Sequence, residues 1–169
     1  MRHVSRSDGF SLAEIMISIA LFVLLVGLIA ANTRFLHKFL LRAQVDKLYN
    51  TFVYLQRCAI STGEKQLLVF NIEKQQYAYG KTICTFPKQV VFGIIKQVKG
   101  PPSCPGRVIK SSVTFKGKKV VFKTNGIIES GTVYITDRDK KYMYAISSGV
   151  AQASYLRKYV YNGKWILIR

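Results

Sequence analysis

Groups able to do acid–base, nucleophilic or metal chemistry are scarce in this 169-residue chain. Its two histidines, His3 and His37, lack the carboxylate and nucleophile company that a Ser-His-Asp or Cys-His arrangement requires. The three cysteines, Cys58, Cys84 and Cys104, form no C-x-x-C pair, and no histidine follows Leu41 to complete a zinc site. Asp137-x-Asp139 is the one close acidic pair. Arg138, Lys140 and Lys141 are threaded through it, so it reads as a charged turn. No phosphate-cradling Gly-rich motif is present. The expectation is a non-enzymatic protein with no catalytic residue, no metal and no cofactor.

Cations are the chemistry the chain does carry. The formal net charge is +18, and the 49% hydrophobic share separates this chain from a disordered polycationic tail. Such a charge favours an acidic partner: nucleic acid, anionic lipid or an acidic protein surface. The excess lies late, with seventeen Lys or Arg from Lys81 to Arg169 against Glu129, Asp137 and Asp139. Lys116, Lys118 and Lys119 share one expected turn. Arg157, Lys158 and Lys164 decorate the C-terminal segment, interleaved with Tyr155, Tyr159, Tyr161 and Trp165. Cations beside aromatics suit a nucleic-acid backbone and its stacked bases, which makes these six residues candidate DNA contacts. The plain alternative is a solvated basic surface.

Glu14 is the remaining chemical oddity, because an uncharged run of 19 residues, Ile15 to Thr33, follows it directly. As a helix that run is about 28 Å long, against about 30 Å for a bilayer's hydrocarbon core. A short leader, Met1 to Gly9, carries Arg2 and Arg6. Basic residues on the short side predict a cytoplasmic N-terminus, one pass through the cytoplasmic (inner) membrane, and a body outside the cytoplasm. A carboxylate one turn inside such a span costs several kcal/mol unless it is paired. Cleavage after Gly9 would create the needed cation, the α-amino group of Phe10.

Gly9-Phe10-Ser11-Leu12-Ala13-Glu14, between a basic leader and an apolar helix, resembles the type IV prepilin signature. The resemblance implies that a membrane peptidase cuts after Gly9 and methylates Phe10. It also implies that Glu14 neutralises the N-terminus of an adjacent subunit during assembly. Residues 1–9 are then a leader peptide and 10–33 a transmembrane and filament-core helix. Residues 34–169 continue the helix into a globular β domain. The implied partners are other pilins or pseudopilins in a helical filament, prepilin peptidase, and an assembly platform with its ATPase.

Two elements must position these groups. Leu41, Val45, Leu48, Phe52, Leu55 and Ala59 recur at steps of four and three, giving one apolar helix stripe, and Gly63 supplies a stop. One helix is expected from about Ser11 to Thr62. From Lys65 the period becomes two. Strands are expected over 66–72 and 75–79, 90–98, 113–115 and 120–123, 132–136 and 142–147, and 153–161 and 165–168. The fold class is α+β: a long N-terminal helix carrying a small antiparallel β domain of two-sheet sandwich type.

The order of elements resembles the GspH/FimT branch of pilin-like proteins. The supporting residues are Leu55-Gln56-Arg57-Cys58-Ala59-Ile60, Phe122-Lys123-Thr124-Asn125-Gly126 with Gly131-Thr132-Val133-Tyr134, and Tyr161-Asn162-Gly163-Lys164-Trp165. Some members of that branch are thought to bind DNA through Gly-Arg-x-Arg. The nearest counterpart here, Gly149-Val150-Ala151-Gln152, lacks both arginines. Cys58 adjoins the helix stripe as a small apolar residue. Three cysteine pairings are open, and in an oxidising exterior Cys84–Cys104 is the expected one. Closing a loop of about 20 residues would stabilise the fold by about 3 kcal/mol. The function expected is that of a minor pilin or pseudopilin of a type IV pilus or type II secretion pseudopilus. The alternative is a DNA-binding minor pilin of a competence or DNA-uptake pilus.

Overall fold

The computed structural model describes residues 11–31, 33–100, 106–150 and 154–168, without the side chains of 28–35 and 150. They form two compact units, Met1–Leu36 and His37–Arg169. Helix is present over α1, Leu12–Ala31, and α2, Thr33–Thr62, where one helix over 11–62 is expected; Asn32 between them lies outside the described residues.

Helix α1 starts where its sequence offers a cap. The Glu14 amide donates to the Ser11 hydroxyl (3.2 Å) and to the Ser11 carbonyl (3.0 Å), satisfying a donor that the first helical turn otherwise leaves open. No charged residue follows Glu14 in the helix, and its described side chains from Leu12 to Gly27 are exposed all round. Among the described residues, no helix is long and apolar enough to cross a membrane.

In the second unit, α2 is one-sided. All six stripe residues, Leu41, Val45, Leu48, Phe52, Leu55 and Ala59, are buried. The helix ends at Thr62, and Gly63 follows with φ +68°, the left-handed conformation of a helix C′ residue. Among the described residues nine strands succeed it: β1 Gln66–Asn71, β2 Gln76–Tyr79, β3 Thr82–Thr85, β4 Val90–Phe92, β5 Lys119–Phe122, β6 Gly131–Asp137, β7 Met143–Val150, β8 Ser154–Asn162 and β9 Lys164–Ile168. They build two antiparallel sheets, ordered β3-β2-β1-β5 and β4-β6-β7-β8-β9. The architecture is α+β.

One core joins helix and sheets. The stripe packs with Leu68, Phe70 and Tyr77 of the first sheet and with Val133, Ile135, Tyr144 and Ile146 of the second. Phe52 lies at its centre, with ring centroids 6.4 Å from Phe70, 6.1 Å from Phe115 and 5.6 Å from Phe122. Phe70 of β1 meets Phe92 of β4 edge-on at 5.6 Å, which ties the sheets together directly. Each such buried side chain contributes about 1.5–3 kcal/mol.

Three expectations change. Only Val90–Phe92 of the 90–98 segment is a strand. The chain after it supplies Ile94, Ile95, Val98 and Ile109 to a second cluster with Tyr134, Met143, Ala145 and Tyr159, covering part of the outer face of the five-stranded sheet. Segments 113–115 and 120–123 do not pair with each other. Val113 bridges to Val133 of β6, whereas β5 pairs with β1, so the 3₁₀ turn Lys116–Lys118 carries the chain from one sheet to the other. Phe115 packs closely against Gly131 at that crossing: a Cβ there would stand 2.4 Å from its ring. Strand β3 forms where no strand is expected; three of its four residues, Thr82, Ile83 and Thr85, are β-branched.

A polar tie joins α2 to β8 within this unit. The Lys158 ammonium makes an ion pair with Asp46 and lies 5.3 Å from the Tyr49 ring centroid. The lysine side chain is 13% exposed and the aspartate 38%, so the two ends differ in their access to water. Asp46→Ala leaves an enclosed ammonium unpaired, and is expected to lower stability by about 1–3 kcal/mol. Lys158→Met leaves only a wet carboxylate and is expected to cost clearly less. Urea-unfolding midpoints check the order, and equal or reversed costs contradict it.

Candidate functional site

The N-terminal group divides at the edge of the described residues. Gly9 and Phe10 lie outside them. Glu14 lies within, exposed, in the first turn of α1. Ser11 and Glu14 stand three apart as a capping-box pair, and the observed Glu14 amide to Ser11 hydroxyl bond is the first half of that motif. The Ser18 hydroxyl donates to the Glu14 carbonyl at 2.8 Å and continues the turn. A carboxylate here also faces the positive end of the helix dipole. The capping role is legible as Ser-x-x-Glu, a local signal distinct from the buried-charge expectation for Glu14.

Beyond Glu14 the exposed face of α1 is apolar on every side. Leu12, Met16, Phe22 and Val23 are each more than 60% exposed. A helix without a polar stripe has no face suited to water.

The six candidate DNA contacts do not form one patch. Lys116 and Lys118 lie on the 3₁₀ turn between sheets, with Lys119 opening β5, all exposed. Arg157 and Lys158 are neighbours on β8 and therefore point to opposite faces of the sheet. Arg157 is exposed, its guanidinium 4.7 Å from the Tyr155 ring centroid. Tyr155 in turn covers Gly149, where a Cβ would meet its ring within 2.5 Å. Lys158 points inward to Asp46 and is removed from the set of solvent-facing cations. Lys164 is exposed at the start of β9, beside the single-residue turn at Gly163 (φ +70°).

The cysteines are placed in part. Cys58 and Cys84 are free thiols, both half-buried, and Cys104 lies outside the described residues. Cys84 sits opposite Tyr77 across β2 and β3. Burial pushes the Tyr77 hydroxyl well above the ordinary phenol range, and the nearby Cys84 adds to the rise, whereas Thr51 opposes it. Among the described residues no group of histidine, cysteine and carboxylate side chains is arranged to hold a metal ion.

Tertiary structure gathers a different set of cations. Lys38 and Arg42 on α2 and Lys141 before β7 line one groove of about 420 Å³ with Tyr142, Tyr144 and Tyr161. Burial raises the Tyr144 phenol, with Arg42 pulling against it and Asp46 adding to it. Separated by about 100 residues in sequence, Arg42 and Lys141 share no motif by which they could be found.

No protein-family profile matches the chain, and no curated protein matches it either. Among solved structures, the chain is similar to the minor pseudopilin EpsH from the type 2 secretion system of Vibrio cholerae. The TM-score is 0.48 at 10% sequence identity, over 69% of this chain and 94% of that one.

Proposed function

We propose that this chain is a minor pilin or pseudopilin, a non-enzymatic subunit of a type IV pilus or type II secretion pseudopilus. It is made as a precursor, cut after Gly9 by prepilin peptidase and methylated on Phe10. The observation that carries this reading is the contrast between its helices. Helix α1 exposes apolar side chains all round, whereas α2 buries one stripe in a folded β domain. The first is built for lipid and then for sister helices; the second anchors a domain that stays in water.

In this scheme the subunit waits in the inner membrane as a single-pass protein with its β domain outside the cytoplasm. An assembly ATPase and platform protein then move it into the filament. Transfer costs little because sister helices replace lipid tails around the same apolar side chains. Glu14 pairs there with the Phe10 amine of a neighbour, which relieves the cost of placing a carboxylate among apolar groups. Mass spectrometry of membrane-extracted protein, made with the peptidase present, is expected to give a methylated N-terminus at Phe10. An intact Met1, or a cut after Ala30 or Ala31, overturns the reading.

The cap at Ser11 makes Glu14 testable by two substitutions. Glu14→Gln removes the charge and keeps a capping-box side chain, whereas Glu14→Val removes both. If charge pairing drives assembly, both variants insert and are cleaved, and both are depleted several-fold from filaments. Wild-type incorporation of Glu14→Gln would mean that the carboxylate serves only the helix.

A second reading, DNA capture by the β domain, is favoured by the exposed Arg157 stacked on Tyr155, since a cation beside an aromatic ring suits a nucleic-acid strand. Duplex binding should then weaken steeply with salt, with a slope near −0.9 per neutralised phosphate. Reversal of Arg157 and Lys164 to Glu is expected to flatten that slope more than reversal of Lys116 and Lys118. Equal effects of the two pairs would leave charge alone and no dedicated site.

A further inference from the structure

We infer that the groove between the first turns of α2 and the β8–β9 hairpin is a binding site for the phosphate headgroup of an anionic phospholipid. The inference rests on the membrane-subunit reading above, and it assigns the groove a role before filament assembly.

Three observations lead to this ligand. First, the groove's cations lack strong partners. Arg42 lies 3.9 Å from Asp46, whose other oxygen is taken by Lys158, and Lys141 lies 3.8 Å from Asp139. Arg42 and Lys141 are more than 60% exposed in these pairs, and surface pairs of this kind are worth little. Lys38 makes no ion pair among the described residues; its ammonium lies 5.6 Å from the Tyr142 ring centroid. A phosphodiester would give all three a common anion, with Arg42 able to grip two oxygens at once.

Second, the surroundings are amphipathic. Ile166 on the groove wall is 42% exposed, and the half-buried Ile95 and Ile168 line the groove with it. Tyr142, Tyr144 and Tyr161 supply rings with polar tips. Cations, tyrosines and bare apolar side chains together match a membrane–water interface, where each type meets its preferred depth. A nucleic-acid duplex would satisfy the cations and leave Ile166 and its isoleucine neighbours against water and phosphate.

Third, the position along the chain fits. Lys38 and Arg42 follow Thr33, the last residue of the uncharged run, by five and nine residues. Along a helix that is about 8 and 14 Å, within the headgroup layer's reach of a span ending there. Each cation near an anionic lipid surface strengthens binding about fivefold. The groove would therefore hold the β domain against the membrane until extraction.

The test uses the full chain reconstituted into phosphatidylcholine vesicles that contain phosphatidylglycerol with a photoreactive headgroup. Peptides spanning Lys38–Arg42 and Lys141–Tyr144 are expected to carry the label. The same photoreactive group on phosphatidylcholine should label them several-fold less. Lys38→Gln with Lys141→Gln, both exposed positions, should reduce labelling several-fold; Lys116→Gln with Lys118→Gln should not. Equal loss in the two variants, or none in the first, overturns the inference. So does removal of the label by added duplex DNA, which would make the groove a nucleic-acid site. Free glycerol phosphate that abolishes labelling at the concentration of the vesicle lipid would overturn it too, because the source would then be soluble. Extraction of the chain by alkaline carbonate overturns the membrane-subunit reading and this inference with it. A chain that stays anchored with its groove unlabelled overturns this inference alone.

Discussion

The second unit depends on one helix face serving two sheets at once. A four-stranded and a five-stranded antiparallel sheet each have an apolar side to hide, and here both hide it on the same six residues of α2, Leu41 to Ala59. Phe52 concentrates the constraint, because its ring touches the sheet aromatics Phe70 and Phe122 and the crossover residue Phe115. Interiors pack at crystal-like density, so a side chain with three aromatic neighbours fixes the spacing of everything around it. The bridge from Phe70 to Phe92 then links the sheets independently of the helix. The crossover at Lys116–Lys118 follows from the same geometry: its backbone must leave one sheet and join the other around Phe115.

The two helices carry different patterns. Helix α2 alternates apolar and polar residues at helical spacing and leaves one face to water. Helix α1 has no such face among its described side chains. In the proposed precursor a uniformly apolar surface would suit two settings in turn, lipid and then a bundle of sister helices. The Ser11 cap and Glu14 sit at the end where this surface begins. There the helix's own open amides already favour a negative charge, and a neighbour's amine would favour it further.

Charge distribution shows why a count of cations is a poor map of a site. Neighbours on a strand diverge: Arg157 turns out to solvent and rests on Tyr155, whereas Lys158 turns in and locks Asp46 beneath the sheet. Residues far apart converge, as Lys38, Arg42 and Lys141 do around three tyrosines. The +18 total is thus divided among an internal tie, a crossover turn, a stacked arginine and a groove, each with its own electrostatic surroundings.

Much of the fold was legible because it is written in local periodicity. The α2 stripe, its stop at Gly63, and the hairpins β1–β2, β6–β7 and β8–β9 follow from apolar spacing and turn residues within a few positions of one another. The uncharged run and Ser-x-x-Glu of α1 are equally local. What the sequence could not supply is whatever depends on partners distant along the chain. Val113–Phe115 and Val120–Lys123 look like the arms of a hairpin, yet they belong to different sheets, because strand pairing is decided by which apolar faces share a core. The segment after Phe92 is rich in β-branched residues, but it covers Tyr134, Met143 and Tyr159 as a loop, since their outer face had to be shielded from water. The basic groove arises in the same way. Its cations come together only when α2 packs across the β7–β8–β9 edge, and no spacing rule connects residue 42 to residue 141. Local chemistry thus determined which elements form and which face each buries; tertiary packing alone decided which sheet each strand joined and which charges came to stand together.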